Sequence, residues 1–297
     1  MKKFKIWFQA IRPFSISAAV VPVIVGSALA QRNSRFDFPR FILVLIACVL
    51  VQIFTNLVDE YSDHARPEGR EKLLAPYKVI ARGLLTSAEV KKGANFCLAI
   101  ATAIGIYLTF YAGWPIAVMC LASAAAAYFY SAGPRPWGKI GLGQPLVFIF
   151  MGIVMVMGSY YVQAGRFTLD AFLLALPVAF TVTAILAAND IRDSEEDRVS
   201  GKRTVATIWG QRVAWWEYLA LIAAPFLIVI SLVITRRMGL TTIVSLLALP
   251  QAAMALSKYR RGGNRVELAL VLPATSRLHL HFGVLLALGV ILQGVVH

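Results

Sequence analysis

Asn189, Asp193 and Asp197 follow one another at spacings of four residues, at the end of a long run without charge. On a continuing helix that spacing stacks three oxygen-bearing side chains on one face. Carboxylates held so close repel unless a cation lies between them. A hard divalent ion suits them, because Mg2+ takes one or two carboxylates together with phosphate oxygens and water. Asn56, Asp59, Glu60 and Asp63 repeat the pattern after another apolar run. Of the 15 acidic residues, five lie in 59–71 and five in 190–197, a distribution that fits a two-pole metal site better than solvated helix ends. Basic residues follow each cluster: Arg70, Lys72, Lys78 and Arg82 after the first, Lys202 and Arg203 after the second. Carboxylates for a metal beside bases for an oxyanion are what a diphosphate requires.

The elements that must position these groups are membrane helices. The 297-residue chain is 59% hydrophobic and 15% charged, with a mean hydropathy of +0.70, beyond the range of a soluble domain. Stretches free of Asp, Glu, Lys and Arg cover 13–31, 41–58, 93–134, 140–165, 171–189, 218–235, 238–257 and 278–297. Each matches the ~20 residues that cross a bilayer, except 93–134. As one helix that stretch would run roughly 60 Å, twice the hydrocarbon thickness. Gly113-Trp114-Pro115 divides it, because proline and glycine interrupt a helix there. Nine spans are therefore expected, in a single domain over 1–297. The basic N-terminus, Met-Lys-Lys-Phe-Lys, reads as the approach to the first membrane helix and not as a cleaved signal.

Placing the N-terminus in the cytoplasm puts 23 of the 29 Lys and Arg residues on the inner face and six outside, a strong positive-inside bias. Membrane topology thus accounts for the net charge of +14 without a nucleic-acid partner. Most of the basic residues have this topological role. Both acidic clusters fall on the same inner face. Cys48, Cys97 and Cys120 lie in apolar runs and read as small buried side chains. His279 and His281 open the last span two residues apart, pointing to different sides, so they read as interfacial rather than as a shared metal site. Tyr61, Tyr128, Tyr130, Tyr160 and Tyr161 are candidates to face a developing cation, although aromatic rings near helix ends also serve as interfacial anchors.

Further stretches resemble a known family. The segment 52–63, Arg82-Gly-Leu-Leu-Thr86, Gly133-Pro-Arg-Pro136 with Gly141-Leu-Gly143, Met157-Gly-Ser-Tyr-Tyr161, and Asn189-Asp-Ile-Arg-Asp193 followed by Gly201-Lys-Arg-Thr204 are similar to motifs of the UbiA superfamily of intramembrane prenyltransferases. They are closest to its 1,4-dihydroxy-2-naphthoate polyprenyltransferase branch. Arg12-Pro13 and Pro22-Val-Ile-Val-Gly26 fit that family's first helix. The resemblance runs from about residue 7 to 212; the last three helices fit in number and hydropathy alone.

The resemblance implies an all-α integral membrane fold, with nine transmembrane helices around a central cavity that opens toward lipid. It implies transfer of a polyprenyl group from its allylic diphosphate to an aromatic acid such as 1,4-dihydroxy-2-naphthoate, with decarboxylation, giving demethylmenaquinone. It implies Mg2+, two ions, held by Asp59, Asp63, Asn189, Asp193 and Asp197. Lys72, Arg82, Arg135, Lys139 and Lys202 are the expected diphosphate ligands. Asn56, Glu60, Tyr61, Tyr130 and Tyr160 are further substrate-side candidates. The expected place is the cell membrane, with the site on the cytoplasmic side. The chain departs from the family where Asp59-Glu60 stands for the usual Asn-Asp, at Pro67 where some members have another acid, and at Lys139 and Gln144. Rival readings are another acceptor, such as 4-hydroxybenzoate, and an ion-coupled transporter using intramembrane acids.

Overall fold

Long apolar segments in a bilayer must satisfy their backbone polar groups internally, so each becomes a helix. The computed structural model describes residues 3–65, 77–261 and 268–296. Among the described residues nine helices are long and apolar enough to cross a membrane. They are α1 (Pro13–Arg32), α2 (Phe38–His64), α3 (Ser87–Ala112), α4 (Trp114–Ser131), α5 (Gly143–Ala164), α6 (Leu169–Arg192), α7 (Gly210–Ile234), α8 (Leu240–Tyr259) and α9 (Val271–Gly294). A short helix, Lys3–Ala10, precedes them, and two others, Ser194–Val199 and Val205–Ile208, connect α6 to α7.

Local chemistry sets the boundaries. Asp37 accepts from the Arg40 amide at the start of α2. Thr86 and Glu89 form a reciprocal capping box at the start of α3, which satisfies amides that the first turn leaves unbonded. Gly113 divides α3 from α4 at φ 92°, a conformation that glycine adopts without a Cβ penalty.

The helices differ in how far they are enclosed. In α6, 72% of the most apolar stretch is buried, against 28% in α2 and 17% in α4. α6 packs against α5, α7 and α9, and α1 packs against α5 and α9, while α2 pairs with α3. A Cβ on Gly152 would fall on Ala179 of α6, so this glycine lets α5 approach the central helix closely. The stretch that contains it, Val147–Val154, is wound as a π-helix, a widening often found at functional sites.

Three expectations need correction. The second cluster does not lie on one continuous helix. α6 ends at Arg192, Asp193 sits at φ −95°, ψ 8°, and a new helix starts at Ser194. Cys48 and Cys97 are only half-buried and Cys120 is exposed on the apolar surface. His279 is not interfacial: it is fully buried, with Nδ1 2.8 Å from the Thr181 hydroxyl of α6. His281 is exposed.

Candidate active site

The ends of α2 and α6 meet at one cavity of about 280 Å³. Asp59 and Asp63 line it from α2, and Asn189, Asp193 and Asp197 line it from α6 and the helix that follows. Its deeper wall is apolar and includes Val147, Phe150 and Met151 from the π-helical stretch of α5. Tyr130 and Asn56 also lie on the wall.

Each candidate metal ligand is answered by a cation of the chain itself. On the α2 side, Arg12 Nη2 lies 2.6 Å from Asp59 Oδ2, and the Ser131 hydroxyl donates to Asp59 Oδ1 at 2.9 Å. Lys78 Nζ lies 2.9 Å from Asp63 Oδ2, and Lys139 Nζ 3.3 Å from Asp63 Oδ1. On the α6 side, Arg192 makes paired bonds of 2.7 and 2.8 Å to Asp193 and donates to Asn189 Oδ1 at 2.8 Å. Lys202 Nζ lies 2.8 Å from both Asp197 and Asp190.

Two links join the poles. The Arg203 amide donates to the Lys139 carbonyl at 2.9 Å, within a parallel bridge between Ile140 and Arg203. Lys139, on Asp63, and Lys202, on Asp197, are thereby presented from two segments held side by side. Tyr77 makes the second link. Arg12 stacks over its ring at 4.4 Å, and its hydroxyl accepts from Arg192 Nη2 at 3.1 Å.

The local backbone supports this placement. Arg12 adopts a left-handed conformation, φ 54°, which for a non-glycine residue is strain that the surroundings must hold. Asn56 helps hold it by donating to the Ile11 carbonyl and the Ser15 hydroxyl, each at 2.8 Å. Burial opposes the charge on Arg12, Lys78 and Lys202. The neighbouring carboxylates outweigh it, Asp59 for Arg12, Asp63 and Asp59 for Lys78, and Asp190 and Asp197 for Lys202, and all three pKa values lie above their usual range.

The remaining sequence candidates divide. Lys139, Lys202, Tyr130 and Asn56 reach the cavity. Glu60 is buried away from it, accepts from the Ile80 amide at 3.0 Å and faces Lys78 at 3.6 Å. It fastens the segment after α2 rather than facing substrate. Arg82 is exposed and donates to Gln9 at 3.4 Å, and Arg135 is exposed as well. Neither is in the described wall. Tyr61 packs in the cluster formed by Phe54, Leu57, Val79 and Val90. Tyr160 is fully buried, and its hydroxyl accepts from Asn33 at the far end of α1, so its ring cannot face the acids. Lys72 and Pro67 fall outside the described residues.

Arg12, Lys78, Asp190, Arg192 and Tyr77 were missing from the expected ligand set. Arg12 had a signal, as a lone charge abutting the first apolar run. Lys78 had a weaker one, as one of the bases after the first cluster, but nothing in its spacing pointed to its partners, 15 and 18 residues away.

The donor set is compatible with Mg2+. Among the described residues no three Asp, Glu, His or Cys side chains converge tightly enough to hold an ion alone. A cation here would take one or two carboxylates from the protein and complete its shell with phosphate oxygens and water, as Mg2+ prefers.

The UbiA prenyltransferase family pattern matches residues 19–272. The chain is 29% identical over 289 residues to the 1,4-dihydroxy-2-naphthoate octaprenyltransferase of Bacillus subtilis (strain 168), covering 97% of this chain and 93% of that one. It is 32% identical over 211 residues to the protein of the same name from Escherichia coli (strain K12), covering 69% and 68%. Among solved structures, an apo UbiA homolog from Aeropyrum pernix K1 superposes with a TM-score of 0.69 at 18% identity, over 93% of this chain and 97% of that one. A UbiA homolog from Archaeoglobus fulgidus bound to GPP and Mg2+ gives 0.65 at 14% identity, over 95% and 99%. These two share the fold. The nine-helix architecture and the family match agree, and the chain is a multi-pass membrane prenyltransferase that belongs to the UbiA family.

Proposed function

We propose that the chain transfers a polyprenyl group from its allylic diphosphate to 1,4-dihydroxy-2-naphthoate, with loss of the acceptor's carboxylate, in a Mg2+-dependent reaction. The observation that carries this reading is the shared cavity, where carboxylates of α2 and α6 and the cations Arg12, Lys78, Lys139 and Lys202 stand together. The names of the relatives support the choice of acceptor. The positive-inside bias supports a cytoplasmic site in the cell membrane.

Asp59 and Asp63 would hold one Mg2+, and Asn189, Asp193 and Asp197 a second. When bound, Mg2+ supplies the charge neutralisation that lets diphosphate depart. Lys139 and Lys202, joined through the backbone bridge, hold diphosphate oxygens as point charges, and Arg12 adds a planar fork. The allylic C–O bond breaks with its electron pair going to the diphosphate. The Tyr130 ring, with the apolar wall of α5, shields the cationic carbon from water. The electron-rich acceptor ring then supplies the pair for the new C–C bond, and its carboxylate leaves as CO2. A cavity of about 280 Å³ holds the reacting ends, and a long prenyl tail extends beyond it along the apolar helices.

The test uses the purified protein in liposomes with geranyl diphosphate and either dihydroxynaphthoate or 4-hydroxybenzoate, with products read by mass spectrometry. Prenylated, decarboxylated naphthoquinol that EDTA abolishes is expected. A chelator-insensitive product, product from 4-hydroxybenzoate alone, or uptake without product would overturn the reading.

A further inference from the structure

Lys202 has two carboxylate partners that face different ways. Its ammonium lies 2.8 Å from Asp197 Oδ2 and 2.8 Å from Asp190 Oδ1. Asp197 lines the cavity, whereas Asp190 is buried behind its described wall. Behind Asp190, Gln144 Nε2 lies 3.4 Å from Asp190 Oδ2 and 3.4 Å from Glu217 Oε2. Gln144 comes from the first turn of α5 and Glu217 from α7, so three helices fix the position of this carboxylate. A carboxylate so deep is retained only where a cation answers it, and that cation is Lys202.

The two partners behave differently once the site is loaded. On the prenyl-transfer reading, on which this inference rests, Asp197 would be one of the residues that hold Mg2+, and its bond to the ammonium would then be released. Asp190 cannot follow, since it lies outside the cavity and is tied to Gln144. An ammonium has three donors in no fixed plane, so the donor that Asp197 releases can pass to a diphosphate oxygen while Asp190 keeps its own. The bridge between Ile140 and Arg203 fixes the backbone next to Lys202, which leaves the side chain as the part to be steered. We propose that Asp190 is a positioning residue: it retains Lys202 at the cavity edge when Asp197 engages metal, and so sets the ammonium against the leaving diphosphate.

The test is a double-mutant cycle on initial rates of the full-length protein in liposomes, with geranyl diphosphate, dihydroxynaphthoate and saturating Mg2+. Asp190→Asn and Lys202→Gln are each expected to raise the KM for geranyl diphosphate about tenfold, as loss of a charge-assisted bond implies, with the KM for the acceptor unchanged. The double variant is expected to be no worse than Lys202→Gln alone, because the two act as one unit. A purely structural anchor would lower the melting temperature and kcat without this pattern. An unchanged KM in Asp190→Asn, or losses that multiply in the double variant, would overturn the proposal. If Asp190→Asn does not fold, Gln144→Leu replaces it. The expected result there is a KM rise of about two- to threefold, from loss of one neutral hydrogen bond, that disappears beside Lys202→Gln; no rise, or a multiplying one, overturns the proposal. A wild-type protein that makes no prenylated product removes the prenyl-transfer reading and this inference together. An active wild type with an insensitive Asp190 removes this inference alone.

Discussion

The two poles of the cavity are built differently. The α6 pole is local: Arg192 and Lys202, which neutralise it, lie within a few residues of Asn189, Asp193 and Asp197. The α2 pole is assembled from afar. Arg12 arrives from the segment before α1, Lys78 from beyond α2, and Lys139 from between α4 and α5. The supporting helices differ in the same sense, with 72% of the apolar stretch of α6 buried against 28% for α2. A local pole keeps its charges matched wherever its helix sits. An assembled pole depends on how three segments dock, so it is the side that distant changes disturb.

The most severe way to break the comparison is to remove one acid from each side. Asp63→Ala and Asp193→Ala should each cut the initial rate of prenyl transfer about a thousandfold, the scale of losing an electrostatic group that acts in the transition state. Both proteins should still elute as folded species. Turnover retained by either at ordinary Mg2+ would mean that its pole is dispensable.

The next effect concerns stability and should separate the poles. Lys78 is 4% exposed and faces both Glu60 and Asp63. Lys78→Met leaves those carboxylates without their buried cation and should cost about 3–5 kcal/mol, read as a lowered unfolding midpoint in detergent. A midpoint within experimental error of wild type would show that the assembled pole does not rely on its distant cations. A smaller change sharpens the link between the poles. Tyr77→Phe removes the acceptor for Arg192 but keeps the ring under Arg12, and should raise the KM for the diphosphate by a factor of about five, near the 1 kcal/mol of one hydrogen bond. No change would show that Tyr77 does not join the two sides.

The smallest effect is a pH dependence. The folded pKa of Lys78 lies above its usual value, so its stabilising contribution is fully present below the unfolded pKa and is lost only as pH rises through the higher folded one. Between about pH 7 and about pH 10, below the usual lysine value, the unfolding midpoints of wild type and of Lys78→Arg should therefore follow parallel curves. A loss confined to wild type within that window would contradict the sign.

The difference between the poles also explains what was legible in the sequence. The nine spans could be read because membrane helices announce themselves by length, and the break at Gly113 because one helix could not be twice the bilayer thickness. Asn189, Asp193 and Asp197 were legible because their spacing and their lysine lie within one short window. Even there, the spacing fits a continuous helix, whereas the chain breaks at Asp193 and still delivers all three side chains to the cavity. At the α2 pole the acids were legible, and Lys78 and Lys139 stood out as bases, but which acid each would meet did not. Nothing in the spacing joins Arg12 to Asp59, 47 residues on. Tyr160 shows the opposite error, since an aromatic near a helix end was weighed as a cation-facing ring when its hydroxyl is committed to Asn33. Glu60 lies beside Asp59 in sequence, but a helix turns neighbours about 100° apart, which sends it to the Ile80 amide instead.

The central claim is that both poles serve one metal–diphosphate site. Calorimetric titration of Mg2+ into the protein with the unreactive analogue geranyl thiolodiphosphate tests it most directly, in wild type, Asp63→Ala, Asp193→Ala and the double variant. A shared clamp predicts that either single substitution abolishes the cooperative uptake of metal and analogue, and that the second substitution adds nothing. Each variant keeping half of the binding, with the two losses adding in the double, would show two independent sites and contradict the account.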